Sequence, residues 1–156
     1  MGVMIKLKPL IVSLLISLGV GGLSALLTKG SMEKYQSLNQ PPLSPPGWVF
    51  PVVWTVLFVM MGIAAYLVWM QNGPGRGGAL ALYGAQLFFN FFWTLIFFNL
   101  GNYALAFFWL VALWVLILLC TLSFFKEDTR AGWMMVPYLV WVAFAGYLNA
   151  GVWLLN

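Results

Sequence analysis

Long, uninterrupted apolar runs are the feature that most constrains this chain, because each run can cross a bilayer. At 1.5 Å per residue, about 20 apolar residues in a helix span a hydrocarbon core of roughly 30 Å. Of all residues 63% are hydrophobic and only 6% are charged, whereas a soluble domain carries about 25% charged residues. In lipid, backbone polar groups must form hydrogen bonds within the protein, which allows only helices or a closed β-barrel. The runs lack the alternation of apolar and polar residues that barrel strands show. The sequence therefore predicts an all-α integral membrane protein, a bundle of five transmembrane helices.

The apolar runs define five spans within one membrane domain. Lys6 and Lys8 before the first run also suit a cleavable signal peptide, but the run exceeds a typical signal-peptide core and no convincing cleavage site follows it. We therefore expect a retained helix. Pro46 is predicted near the first turn of the second span, where proline is tolerated, and Pro137 is predicted to kink the fifth span locally. The predicted spans are about residues 7–27, 46–70, 79–100, 103–125 and 131–155, in a domain covering residues 1–156.

The first loop, residues 28–45, is the longest connection in the chain. It ends in a stretch that contains Pro41, Pro42 and Pro45, followed directly by Pro46. Proline lacks a backbone donor and fixes φ, so these residues forbid a regular helix and stiffen the chain. A plain spacer would have the same composition, but a loop of this length and rigidity suits a lid ordered against the bundle.

The basic residues predict the orientation in the membrane. They are dispersed along the chain, so no clustered basic face for nucleic acid is expected. The positive-inside bias then predicts a multi-pass protein of the cell membrane with a cytoplasmic N-terminus and an extracytoplasmic proline-rich loop, its cations contacting membrane lipid headgroups. Five basic residues, Lys6, Lys8, Arg76, Lys126 and Arg130, fall on the N-terminal side, against Lys29 and Lys34 on the other.

The chain lacks the residues of conventional catalysis. It has no histidine, and all three acidic residues, Glu33, Glu127 and Asp128, fall in predicted loops. A histidine-based triad is therefore impossible, and no cluster has the spacing of a metal site. No predicted span carries an acid that could relay protons, as ion-coupled pumps require. Hydrolytic, acid–base and zinc chemistry are all disfavoured.

Aromatic and amide side chains inside the spans remain as candidate binding groups. Trp54, Trp93 and Trp141 lie deep in the second, third and fifth spans, and Asn90 lies on the face of the third span that carries Trp93. Bundle geometry can gather these four in one cavity below the proline-rich loop. Core packing is the alternative for each tryptophan, and a helix–helix hydrogen bond is the alternative for Asn90. A dry pocket with aromatic walls and a few amides suits a large, flat, apolar ligand.

Several longer motifs occur in a fixed order over nearly all of the chain. The resulting pattern closely resembles the translocator protein family, also called tryptophan-rich sensory proteins or peripheral benzodiazepine receptors, in a bacterial-type member. The motifs are Pro45-Pro46-Gly47-Trp48-Val49-Phe50-Pro51-Val52-Val53-Trp54-Thr55, Met61-Gly62, Tyr66-Leu67-Val68-Trp69, Gln86-x-x-x-Asn90-x-x-Trp93-x-x-x-Phe97-Phe98 and Pro137-Tyr138-Leu139-Val140-Trp141.

The resemblance implies a five-helix homodimer with a pocket closed by the first loop. Such a pocket would bind porphyrins, as well as isoquinoline-carboxamide or benzodiazepine-type drugs, without a covalently bound cofactor. Gly77, Ala81 and Ala85 resemble the family's dimer seam, although lipid contact or packing within one chain would explain the same small residues. The ligand-binding residues carried over by the resemblance are Tyr35, Pro45, Trp54, Phe58, Asn90, Trp93, Trp141 and Ala145.

Three functions are compatible with this resemblance. The first is a receptor or sensor for tetrapyrroles such as protoporphyrin IX. The second is light- and oxygen-dependent degradation of protoporphyrin IX, in which Trp54 and Trp141 would act as catalytic residues by exchanging electrons with the bound ring. The third is transport of porphyrins or other lipophilic molecules. Cholesterol binding is not favoured, because Tyr147 and Leu148 are followed by no Lys or Arg before the chain ends at Asn156.

Overall fold

The computed structural model describes residues 5–156 and confirms the predicted fold class. Within this range five helices are long and apolar enough to cross a membrane. A 3₁₀ turn and a short helix follow the first of them, and the third runs directly into a π-helical turn. The long helices are α1 (Leu7–Thr28), α3 (Val49–Gln71), α4 (Arg76–Thr94), α5 (Tyr103–Glu127) and α6 (Thr129–Leu155), with α2 (Met32–Ser37) in the first loop and the π turn at Leu95–Asn99.

Two helix starts differ by three residues from the sequence prediction, and α6 begins two residues early, at Thr129. Pro46 lies before α3 rather than in its first turn, because its carbonyl accepts the N–H of Val49 at 3.0 Å and closes a turn there. The proline inside the first turn is Pro51. The third membrane helix, α4, begins at Arg76 instead of Ala79, since the Ala79 N–H already donates to the Gly75 carbonyl at 3.0 Å. The Arg76 guanidinium lies 4.1 Å from the centre of the Trp69 ring at the end of α3.

Small residues on α1 allow α3 to approach closely. The Ser13 hydroxyl donates to the Gly62 carbonyl oxygen at 2.6 Å. A Cβ added at Gly62 would lie 2.7 Å from Ser17 Oγ, and one added at Gly21 would lie 2.6 Å from the Phe58 ring. Such distances are closer than van der Waals contact permits, so a side chain at either glycine would force its neighbours to shift.

The proline-rich end of the first loop packs against the end of α6. The Tyr147 hydroxyl donates to the Pro42 carbonyl at 2.6 Å. Asn39 and Asn156 exchange two hydrogen bonds, from Asn39 N to Asn156 Oδ1 at 3.1 Å and from Asn156 Nδ2 to Asn39 O at 2.8 Å. Pro41 is buried against Gly151, whose missing side chain leaves the space for the proline ring. The loop is therefore held to the bundle at several points.

Candidate functional site

A cavity of about 350 Å³ lies between the helices at the end of the bundle covered by the first loop. Helices α1, α3, α4 and α6 all contribute side chains to it. Among the described residues, its lining contains no Lys, Arg, Asp or Glu. The lining residues are Gly21, Ser24, Ala25, Thr28, Met32, Tyr35, Gln36, Gly47, Phe50, Pro51, Trp54, Phe58, Asn90, Trp93, Thr94, Phe97, Phe98, Trp141, Ala145 and Leu148.

One wall of the cavity is built from rings on α3 and α6. The Trp54 and Trp141 rings lie 6.4 Å apart between centroids and are nearly perpendicular, at 86°. Phe58 lies 5.8 Å from Trp54, and Phe50 lies 6.1 Å from Trp141. The edge-to-face pairs of Trp141 with Trp54 and Phe50 stabilise this wall beyond simple burial, and Phe58 lies tilted against Trp54. This wall is therefore a preformed aromatic surface.

The opposite wall comes from α4 and its π turn, and Tyr35 of the first loop joins the two walls. Trp93 stacks on Phe97 at 5.4 Å. Tyr35 lies 5.3 Å from Phe98 and 5.9 Å from Phe50, the latter on the other wall. Because Tyr35 is only 5% exposed, this ring forms an ordered roof over the cavity.

Three buried side chains behind the cavity form a hydrogen-bonded network. The Asn90 amide donates to the Tyr138 hydroxyl at 2.7 Å, and that hydroxyl donates to Gln86 Oε1 at 2.6 Å. The helix–helix hydrogen bond weighed as the alternative for Asn90 is thus present. Asn90 nevertheless also lines the cavity, and its Oδ1 accepts no hydrogen bond from another described residue.

The two indole groups on facing walls differ in how their N–H groups are satisfied. Trp93 Nε1 donates to Asn149 Oδ1 at 3.0 Å, and Asn149 in turn donates to the Tyr103 carbonyl at 2.9 Å. Trp141 Nε1 is buried without a hydrogen-bond partner among residues 5–156. A buried unpaired donor costs about 1–3 kcal/mol. An acceptor atom on a ligand in the cavity would remove this cost if it reached Trp141.

The structure brings together most of the residues predicted for a binding site. Pro45 is the exception: it is half-buried, while Gly47, two residues later, lines the cavity. The sequence did not single out the face of α1 that closes the cavity. The pattern that could have indicated this face is a set of small residues three or four positions apart, namely Gly21, Ser24, Ala25 and Thr28. The predicted site residues that do line the cavity are Tyr35, Trp54, Phe58, Asn90, Trp93, Trp141 and Ala145.

The small residues predicted for a dimer seam lie elsewhere, on the outer surface of α4. Gly77 and Ala81 are exposed, and Ala85 is half-buried. A Cβ added at Gly77 would meet no atom of another described residue within 4 Å. This surface is available to a second chain or to lipid.

A charged cluster occupies the opposite end of the bundle, where α5 and α6 meet. Asp128 accepts from Arg130 Nη2 at 2.8 Å and from Gln71 Nε2 at 2.7 Å. The hydrogen bonds from Arg130, with that from Gln71, outweigh the effect of burial and lower the pKa of Asp128 to about 2. Asp128 also caps α6 by accepting the backbone N–H of Arg130. This carboxylate therefore has a structural role far from the cavity.

The fold and the cavity define a class: a multi-pass membrane protein with an aromatic, uncharged chamber inside its helix bundle. Comparison with known proteins gives the family. The TspO/MBR family profile matches residues 12–154, and this chain belongs to that family of membrane proteins, as its sequence motifs predicted.

Individual relatives cover most of the chain. A tryptophan-rich sensory protein of Cereibacter sphaeroides is 42% identical over 124 residues, which are 80% of this chain and 77% of the relative. The tryptophan-rich protein TspO of Chlorobaculum tepidum is 36% identical over 151 residues, 94% of each chain. The translocator protein of Bos taurus is 34% identical over 145 residues, 90% of this chain and 85% of the relative.

Proposed function

We propose that this protein is a membrane receptor or sensor that binds tetrapyrroles, such as protoporphyrin IX, in the cavity beneath the first loop. The observation that carries the proposal is a cavity of about 350 Å³ with aromatic rings on both walls and an uncharged lining. Ligand pockets typically have volumes of about 300–1,000 Å³ and mostly apolar linings. The rings provide faces on which a flat macrocycle can stack.

The few polar groups of the cavity fit a ligand that carries a carbonyl or carboxylate oxygen. Trp141 offers an unpaired indole N–H, and Asn90 retains a free amide oxygen among the described contacts. Isoquinoline-carboxamide and benzodiazepine-type drugs combine aromatic rings with such a carbonyl group. The same cavity therefore also suits these synthetic ligands.

Light-dependent degradation of bound protoporphyrin IX is a second activity of the same site. The macrocycle would absorb the light and dioxygen would be the oxidant, so the protein needs no acid–base residue of its own. Trp54 and Trp141, with ring centroids 6.4 Å apart, could each exchange an electron with the excited ring. The chain would contribute placement and these two indoles.

A titration in the dark tests binding first. Purified protein is titrated with protoporphyrin IX, and the porphyrin absorbance shift is recorded for the wild type, Trp141→Phe and Trp133→Phe. Trp133 is 63% exposed and does not line the cavity, so it is the matched control. We expect weaker binding for Trp141→Phe alone. Equal affinities for all three proteins would contradict binding in this cavity.

Illumination of the same samples separates the possible activities. Bleaching that is lost in Trp54→Phe or Trp141→Phe, measured at saturating porphyrin, supports photodegradation. A spectral shift without bleaching supports a receptor alone. Flux of protoporphyrin IX into sealed vesicles that contain the protein, without bleaching, would instead support transport.

We further propose that the protein is a homodimer in the bacterial plasma membrane, with a cytoplasmic N-terminus. The exposed surface of Gly77 and Ala81, continued by Ala85, supports the dimer because small residues let helix backbones pack closely in lipid. The excess of basic residues on the N-terminal side supports the orientation.

A further inference from the structure

A second cavity, of about 570 Å³, opens at the other end of the bundle between α1, α3 and α4. We name it the N-terminal groove. It shares no lining residue with the aromatic cavity. Ser17 and Met61, both 0% exposed, lie between the two linings along α1 and α3. The groove is lined by Lys8, Pro9, Val12, Ser13, Ile16, Ala65, Tyr66, Trp69, Leu80, Tyr83, Gly84 and Leu87.

The groove is long, apolar and open to the membrane. Its lining on α1 extends from Lys8 to Ile16, which is about 12 Å along a helix axis at 1.5 Å per residue. Val12 and Ile16 are 48% and 53% exposed. A Cβ added at Gly84 would meet no atom of another described residue within 4 Å. The shape suits an acyl chain lying along the membrane normal.

The described cationic groups of the groove lie at its mouth, where the Tyr66 hydroxyl joins them, whereas Ser13 and Tyr83 place hydroxyl groups along the lining. Lys8 lies in the first turn of α1, at the end of the bundle. The Arg76 guanidinium covers the ring of Trp69, which lines the groove. The Tyr66 oxygen accepts the Lys6 backbone N–H at 2.9 Å, and no described residue accepts the hydroxyl hydrogen of Tyr66, which can donate to a ligand. The cationic mouth would match the anionic headgroup of a lipid, and the apolar groove would match its acyl chain.

We propose that the N-terminal groove binds one anionic phospholipid of the adjacent leaflet, with an acyl chain in the groove and the phosphate at its mouth. Lys8 and the Tyr66 hydroxyl would contact the phosphate, and Arg76 would contribute its charge from above Trp69. A second copy of the chain fits less well, because it would bring its own cations against this mouth. On α4, at 100° per residue, Ala81 lies about 120–160° from Tyr83 and Leu87, whereas Gly84 lies about 20° from Gly77, so the groove borders the small-residue face without coinciding with it.

Native mass spectrometry of the full, delipidated chain in detergent tests the proposal. The protein is titrated with phosphatidylglycerol, with phosphatidylcholine of the same acyl chains, and with glycerol phosphate alone. We expect one tightly bound phosphatidylglycerol molecule per chain, weaker binding of phosphatidylcholine, and no retained glycerol phosphate. Equal retention of the two phospholipids, or retention of glycerol phosphate, would overturn the proposal.

Two variants with matched controls locate the lipid. Lys8→Gln should weaken phosphatidylglycerol binding about fivefold, since one basic residue near an anionic lipid contributes about 1 kcal/mol. Lys126→Gln, at the same end of the bundle but outside the groove, should not. Gly84→Leu, which fills the groove, should abolish the tight site, whereas Gly22→Leu, also in open space, should retain it.

The spectra also report the oligomeric state, so an alternative occupant would be visible. If Gly84→Leu dissociates a dimer and leaves the lipid count unchanged, the groove seats a second copy and the lipid proposal is wrong. An equal loss of phosphatidylglycerol binding in a variant and in its control would also contradict the assignment of this site.

Discussion

The Tyr138 hydroxyl donates to Gln86 Oε1 over 2.6 Å and thereby joins α6 to α4 inside the bundle. The same hydroxyl accepts from Asn90, so one oxygen serves two partners from one face of α4. All three side chains are at most 2% exposed. In a membrane interior, polar groups that are satisfied by one another fix the relative positions of helices. This network positions Asn90 at the cavity.

Removing that hydroxyl should destabilise the bundle. Tyr138→Phe leaves Gln86 Oε1 and Asn90 Nδ2 buried without their partner, so we expect a loss of about 1–2 kcal/mol in the free energy of unfolding. Tyr83→Phe is the matched control, because the Tyr83 hydroxyl is buried without a hydrogen-bond partner among the described residues. It should cause no loss. Denaturant unfolding in detergent measures both, and an equal loss in the two variants would refute the role of the network.

Asp128 should make stability depend on pH in the acidic range. Its pKa is lowered from 3.8 to about 2 in the folded protein, so its stabilisation is complete above about pH 4 and is lost as pH falls toward 2. Asp128→Asn retains a capping side chain but loses the charge. We expect a free energy of unfolding about 1–2 kcal/mol lower at pH 7, with the difference vanishing near pH 2.

Unfolding at several pH values measures this difference, with Glu33→Gln as the control. Glu33 is exposed in the first loop and makes no ion pair with another described residue. A difference for Asp128→Asn that stayed constant down to pH 2 would show that the charge is not the cause.

The hydroxyl of Tyr147 should hold the proline-rich part of the first loop in place. Tyr147→Phe removes the hydrogen bond to the Pro42 carbonyl, so we expect amide hydrogen exchange between residues 38 and 48 to accelerate roughly fivefold, as the loss of about 1 kcal/mol implies. Tyr66→Phe, at the other end of the bundle, should leave this segment unchanged. Unaltered exchange in Tyr147→Phe would show that other contacts suffice.

A bulky residue on the small-residue face of α4 should weaken the proposed dimer. Ala81 is exposed in the single chain, so Ala81→Phe causes no clash within the monomer and would separate two packed helices. Sedimentation in detergent should show a shift toward monomer. Ala143→Phe, on an exposed position of α6, should not shift it. A monomeric wild type, or a dimer unaffected by Ala81→Phe, would place the interface elsewhere.

Apolar length and the position of charges were enough to predict the five membrane helices. The exact starts of the helices depend on local hydrogen bonds, which are harder to predict from the sequence. Pro46 and Pro51 both suit a first helical turn in sequence, and only the turn closed by the Pro46 carbonyl distinguishes them. The start of α4 at Arg76 is likewise set by backbone hydrogen bonds to Gly73 and Gly75, in a stretch where glycine and proline favour a loop in sequence.

The cavity was predictable where one helix carries several unusual residues. Asn90 and Trp93 share a face of α4, and their polar groups deep in a membrane span marked them as candidates. Partners on other helices were not predictable, since no spacing links Trp93 to Asn149 or Asn90 to Tyr138. The residues of α1 that line the cavity have small side chains, which leave space for it. Small residues give only a weak signal in a sequence, so the role of α1 was not predicted.

Filling the aromatic cavity tests the central claim most directly. Ala145 is buried and lines the cavity, whereas Ala143 on the same helix is exposed. Protoporphyrin IX is titrated in the dark against Ala145→Phe and Ala143→Phe, after unfolding measurements establish that both variants are folded. We predict that Ala145→Phe loses at least tenfold in affinity, which corresponds to about 1.4 kcal/mol, while Ala143→Phe binds like the wild type. Wild-type affinity in a folded Ala145→Phe variant would contradict a porphyrin site inside the bundle.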